Sequence, residues 1–228
     1  MKAYYLLISI VFLMAGGAAA AAPVAEVPLT RYVDTRVGTA EAATMTAGLF
    51  GKGSEEHGQT LPAVCVPHGM NLWTPQTQDT EEKCVAPYYF ADRGLQGFRC
   101  SHWIVGGCTQ DYGSMTVAAL GGALRTSPAS RATAMDKDSE TALPDYYSVA
   151  LPDEGMLAEI TGLSRAGIMR FTYDHDGTGH IVVNPNSDEG QGWIEVDTVS
   201  REIRGCNPVH RIYPVSYTHL RAHETLSD

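Results

Sequence analysis

From Met115 onward the chain falls into short apolar runs separated by turn residues, and this rhythm limits the fold more than any other feature. Met115 to Leu120 ends at a Gly-Gly pair, and Tyr146 to Leu151 runs into the turn Pro152-Asp153-Glu154-Gly155. Met156 to Leu163, Ala166 to Tyr173 and His180 to Asn184 follow, with Asp174-His175-Asp176-Gly177 between the last two. Gly192 to Asp197 and Val199 to Arg204 predict two more strands. Runs of this length bounded by Asp, Gly and Pro turns read as antiparallel hairpins. No segment beyond the first residues sustains a helical period, so the sequence predicts an all-β chain, an antiparallel β-sandwich around one core.

The first half is less regular. Arg31 to Thr39 reads as a strand entering a turn at Gly38, and the stretch from Ala40 to Gly58 as a long irregular loop. That loop contains Gly48-Leu49-Phe50-Gly51-Lys52-Gly53-Ser54, but no phosphate-binding loop, because Lys52 is followed by glycine where a hydroxyl should bind magnesium. Thr60 to Pro75 carries three prolines, which remove ladder donors, so short or edge strands are expected there. Ser127 to Thr141 is polar and reads as a surface loop.

Chemistry concentrates in one stretch, Gly97 to Ser114, where four glycines in eighteen positions surround His102, Trp103, two cysteines, Asp111 and Tyr112. Glycines let a ligand approach the main chain closely, and ligand-binding groups collect on loops held by a rigid scaffold. His102, Asp111 and the Gly106-Gly107-Cys108 backbone are candidate ligand-contacting groups, with Cys84 and Tyr88 behind them. The competing readings are a packed histidine, a turn-capping Asp111 and a buried Trp103.

The N-terminus has a basic Lys2, an apolar run from Leu6 to Met14 and small residues from Ala15 to Ala22, the plan of a signal peptide over residues 1–22. The apolar run is short of the roughly 20 residues that span a bilayer, so an exported protein, periplasmic or extracellular and free of the membrane after cleavage, is expected. A net charge of −10 without a basic cluster argues against nucleic acid. Five cysteines (65, 84, 100, 108 and 206) leave at least one without an intrachain partner, and no C-x-x-C spacing predicts a structural zinc.

Val33-Asp34-Thr35-Arg36-Val37-Gly38-Thr39 resembles the opening of glycoside hydrolase family 92, the calcium-dependent exo-α-mannosidases. The resemblance continues through His57-Gly58-Gln59-Thr60-Leu61-Pro62-Ala63 and Val66-Pro67-His68-Gly69-Met70, then Cys84 with Tyr88 and Asp92. Gly97 to His102 and Gly106 to Gly113 extend it, and the hairpins from Tyr146 to Asn184 are similar as well. It implies that residues 23–213 form the family's N-terminal β-sandwich domain, one wall of a pocket for mannose-containing glycans. By the same resemblance the catalytic carboxylates, which act by inversion, and the calcium belong to a helical domain beyond this chain. No catalytic residue or metal ligand is therefore assigned here, and this chain alone is expected to be inactive. Three places depart from the family pattern: Glu81-Glu82-Lys83 where many members carry tryptophan, Gln59 where a second histidine is usual, and His68 in place of phenylalanine. Residues 214–228 break the hairpin rhythm and resemble translated sequencing-adapter read-through, so a truncated gene is expected. The alternative reading is a non-catalytic carbohydrate-binding β-sandwich or a surface structural domain, for which Tyr88-Tyr89-Phe90 would supply the aromatic platform.

Overall fold

A computed structural model describes residues 27–41, 45, 49, 58–78, 85–106, 111, 114–186 and 191–207, together with the backbone of 218–223. Cys84, Gly107 and Cys108, and the proposed signal peptide, lie outside the described residues. The chain is all-β and antiparallel. In chain order the strands are β1 (Leu72–Gln76), β2 (Gly94–Leu95), β3 (Gly97–Ser101), β4 (Met115–Gly121), β5 (Thr133–Ala134), β6 (Asp136–Leu143) and β7 (Tyr146–Leu151). They continue with β8 (Met156–Gly162), β9 (Gly167–Tyr173), β10 (Gly179–Asn184), β11 (Trp193–Asp197), β12 (Glu202–Asn207) and β13 (Thr218–His223).

Two four-stranded sheets make the sandwich, one ordered β1-β3-β4-β10 and the other β6-β7-β8-β9. The chain leaves the first sheet after β4, builds the second as a meander, and returns with β10 beside β4. Alternation along each strand sends Trp73, Phe98, Cys100, Met115 and Ala119 from the first sheet against Tyr147, Val149, Leu151, Met156, Ala158 and Ile160 from the second. Phe98 stands edge-on to Tyr147 with centroids 5.9 Å apart and stacks against Phe171 at 6.1 Å, tying the layers together. Trp73 lies over the cross-strand glycine pair Gly162 and Gly167, where a side chain on either residue would meet the indole.

The hairpins from Tyr146 to Tyr173 stand as the sequence predicts, in unbroken antiparallel register from β7 to β9, but His180 to Asn184 closes no hairpin with β9: after the turn at 174–177 it crosses to the other sheet and pairs with β4. Three further segments differ. Arg31 to Thr39 is no strand: a 3-10 turn at Leu29–Tyr32 leads into an Asx turn, in which Asp34 accepts from the Arg36 amide at 2.9 Å. Ser127 to Thr141 is no surface loop. Ser127 caps a one-turn helix at Pro128–Arg131, and β5 and the eight-residue β6 follow. Val199 belongs to a turn, held by Asp197 accepting from the amides of Val199 and Ser200, so β12 starts only at Glu202. Residues 218–223 lie within the 214–228 segment set apart above, and their backbone pairs with β12 from Glu202↔His223 to Asn207↔Thr218.

Candidate functional site

The stretch singled out in the sequence leaves the sandwich at the end of β3. Strand alternation aims Phe98 and Cys100 into the core and puts Arg99 and Ser101 on the opposite face, yet Arg99 is only 1% exposed. Its charge is met by Asp111, whose Oδ2 accepts from Arg99 Nε at 2.8 Å while Oδ1 accepts from the His102 amide at 2.9 Å. One buried carboxylate thus joins the two ends of the 102–111 loop. Ser101 Oγ accepts from the Trp103 amide at 3.1 Å, and the Trp103 ring packs with Leu61 and Ala86. His102 is half-buried at this neck. Beyond it Ile104 and Val105 are exposed, and Gly106 adopts a left-handed φ of 77° with open space where a side chain would be. Burial pushes the Cys100 thiol up to about 12, which makes it an inert core group rather than a nucleophile.

Backbone hydrogen bonds join this loop to the other blocks of the family resemblance. The Gly106 amide donates to Gln59 O at 2.9 Å, the Gln59 amide to Gly38 O at 3.1 Å, and the Phe90 amide to Thr39 O at 2.9 Å. Gly58 makes the middle contact possible, because a Cβ there would sit 2.5 Å from Gly38 O at a φ of 93°. The segments at 34–39, 58–60, 88–90 and 102–106, far apart in sequence, form one continuous rim. His68 takes a left-handed φ of 59° in the turn closed by Gly69 N to Val66 O at 2.9 Å, a conformation histidine tolerates better than most side chains.

A second cluster lies beneath the rim, where the edge strand β6 meets the 85–92 segment. Tyr88 is fully buried and its hydroxyl donates to Glu140 Oε1 at 2.8 Å; Tyr147 donates to the same oxygen at 2.6 Å. Lys137 Nζ stands 2.7 Å from Glu140 Oε2, donates to Tyr88 Oη at 2.6 Å, and lies 4.8 Å and 5.2 Å from the ring centres of Tyr88 and Phe90. Arg36, itself forked onto Asp34, reaches Glu140 at 3.5 Å. Burial alone would push the Glu140 carboxyl up, but hydrogen bonds from Lys137, Tyr147 and Tyr88 outweigh it and hold the group below the ordinary carboxylate range. Both phenols are driven upward, by burial first and then by the carboxylate, and so remain protonated donors.

Of the residues named from sequence, the structure therefore places His102, Asp111 and Gly106 on one loop. It puts Tyr88 behind the rim, inside the Glu140 cluster, so that of the expected aromatic platform Phe90 is the exposed ring. Sequence reasoning gave no role to Arg99, Lys137 and Glu140, and named Gln59 only within the family-like block and as a departure from the family pattern. Arg99 was signalled by a lone charge in an otherwise uncharged strand. Lys137 and Glu140 were hidden in a segment whose polarity reads as loop. Among the described residues no group of three or more His, Cys, Asp or Glu is arranged to hold a metal ion.

The profile of the Glycosyl hydrolase family 92 N-terminal domain matches residues 32–223. Among solved structures, the fold is similar to a family GH92 inverting mannosidase from Bacteroides thetaiotaomicron, with a TM-score of 0.67 and 26% identity over 81% of this chain. It is also similar to a family GH92 α-mannosidase of that organism solved in complex with mannoimidazole, with a TM-score of 0.61 and 25% identity over 78% of this chain. The chain spans 22% of the length of each of these two proteins. No curated protein sequence matches it.

Proposed function

The chain belongs to glycosyl hydrolase family 92, of which it carries the N-terminal domain, and on that premise we propose that it is part of an exported, inverting α-mannosidase acting on mannose-containing glycans. The observation that carries this reading is the family match across residues 32–223, supported by likeness to a structure whose name records a mannosidase with bound mannoimidazole. In this reading the 102–111 loop and the rim beside it form one wall of the sugar pocket. His102 and the Gly106 backbone face the sugar.

The wall is suited to this task chemically. Sugar hydroxyls require paired donors and acceptors, because a buried polar group left without a partner costs roughly 1–3 kcal/mol. An open glycine backbone next to an imidazole supplies both in a small space. Inversion needs an acid and a base about 6.5–9.5 Å apart with water between them. Those carboxylates, and the calcium implied by the family resemblance, we place in a helical domain beyond this chain. The described residues do not fit a calcium site, since no three or more His, Cys, Asp or Glu side chains among them converge. The signal-like segment at residues 1–22 supports export.

Hydrolysis of an aryl α-mannoside, followed by NMR so that the first-formed anomer is seen, tests the reading. The full-length gene product is expected to release the inverted sugar, and the 228-residue chain to show no turnover with calcium present. His102→Ala in the full-length protein is expected to lower kcat/KM on the order of tenfold to a thousandfold, each tenfold being about 1.4 kcal/mol, with little change in Tm. Turnover by the 228-residue chain alone, or a full-length protein inert on α-mannosides, would refute the proposal.

A further inference from the structure

We infer that Asp111 is a positioning residue for the sugar-facing loop and touches no sugar itself; the inference rests on the reading that His102 faces the sugar. The Asp111 side chain is fully buried, and Arg99, its ion-pair partner, is 1% exposed. A ligand lying on the outer side of the 102–111 loop therefore has no access to this carboxylate. What the carboxylate does touch is the loop's own entrance. The His102 amide at 2.9 Å is nine residues away in sequence, and Arg99 at 2.8 Å belongs to the rigid strand β3. A charge-assisted hydrogen bond to a backbone amide is stronger and shorter than a neutral one. Here it sets the position of the His102 main chain from which the imidazole projects.

The far side of the loop is held independently, by the Gly106 amide on Gln59 O, while at the entrance the Trp103 ring beside His102 packs with Leu61 and Ala86. The loop therefore has two anchors, one on each side of the exposed Ile104 and Val105. Loss of the Asp111 anchor frees the entrance while the second anchor and the sandwich core stay in place. A displacement of about 1 Å at a group that contacts substrate is worth on the order of a hundredfold in rate, so the effect is readable in kinetics.

The test is a double-mutant cycle in the full-length gene product with an aryl α-mannoside as probe. Asp111→Asn puts an amide nitrogen or a neutral oxygen against Arg99 and is expected to lower kcat/KM about tenfold to a hundredfold. In the His102→Ala background the same change is expected to cost less than about twofold, because the group it positions is gone. An equal loss in both backgrounds overturns the inference, since Asp111 would then act other than through His102. If His102→Ala by itself leaves kcat/KM unchanged, it is the pocket-wall reading that fails. Should Asp111→Asn not fold, Arg99→Gln with Asp111→Asn replaces the buried ion pair by a neutral hydrogen-bonded pair and keeps an oxygen for the His102 amide. That pair is expected to retain kcat/KM within about threefold, and a loss as large as that of His102→Ala overturns the inference.

Discussion

Replacing Glu140 by alanine removes a carboxylate on which β6, β7, the 85–92 segment and the 34–39 turn converge. The Glu140 side chain is fully buried and Lys137 is 8% exposed, so the variant leaves an ammonium in the interior without its counter-ion. Two buried phenols, Tyr88 and Tyr147, lose the oxygen that accepts their protons at 2.8 Å and 2.6 Å. Breaking a buried pair from one side costs about 3–5 kcal/mol, and for a domain of this size each 1 kcal/mol lowers Tm by about 2–4 °C. Scanning calorimetry of the 228-residue chain at neutral pH is therefore expected to show Tm falling by on the order of 10 °C. Lys137→Met with Glu140→Gln removes both charges at once and keeps an acceptor for the phenols, and is expected to recover at least half of the loss. A fall of less than about 2 °C for Glu140→Ala, or a double variant no better than the single one, would show that the cluster is not an energetic unit.

Two further outcomes follow from neighbouring features. Gly167→Ala places a Cβ 2.7 Å from Cε2 and Nε1 of the buried Trp73, so overpacking of about 1–3 kcal/mol is expected in urea unfolding. Gly177→Ala, whose Cβ would lie 3.8 Å from His175, is expected to be neutral within about 0.5 kcal/mol and serves as control. Acid stability should depend on Glu140 with a definite sign. Its folded value lies below the ordinary 4.5, so on acidification the unfolded chain takes up the proton first and stability rises with pH through this range. The contribution is complete above the unfolded-state value and is lost as pH falls through the folded one. Tm measured below pH 4.5 should accordingly fall less steeply for Glu140→Gln than for the parent, and parallel slopes would contradict the assignment.

What the sequence determined by itself was local. The hairpins from Tyr146 to Tyr173 were legible because each strand pairs with its chain neighbour, and the turn residues between them suffice to dictate that pairing. The family was legible too, as an ordered series of blocks from Val33 to Asn184, and the N-terminal domain profile agrees with it across residues 32–223. Tertiary structure alone decided what polar residues do once they are inside. Asp136 to Thr141 reads as loop because strand propensity is low for Asp, Lys and Glu, yet it lies in a strand because Tyr88, 52 residues from Glu140, and Tyr147 accompany Glu140 inward. The Asx turn at Asp34 overrode an extended pattern for the opposite reason, since a side chain bonding its own backbone needs no partner strand. The rim that brings Gly38, Gln59, Phe90 and Gly106 together is carried by main-chain hydrogen bonds between remote segments, which side-chain identity does not specify beyond the glycine required at position 58. For Asp111 the residue type allowed either a sugar contact or a cap, and the burial of Arg99 beside it is a fact of three dimensions that no spacing in the chain encodes.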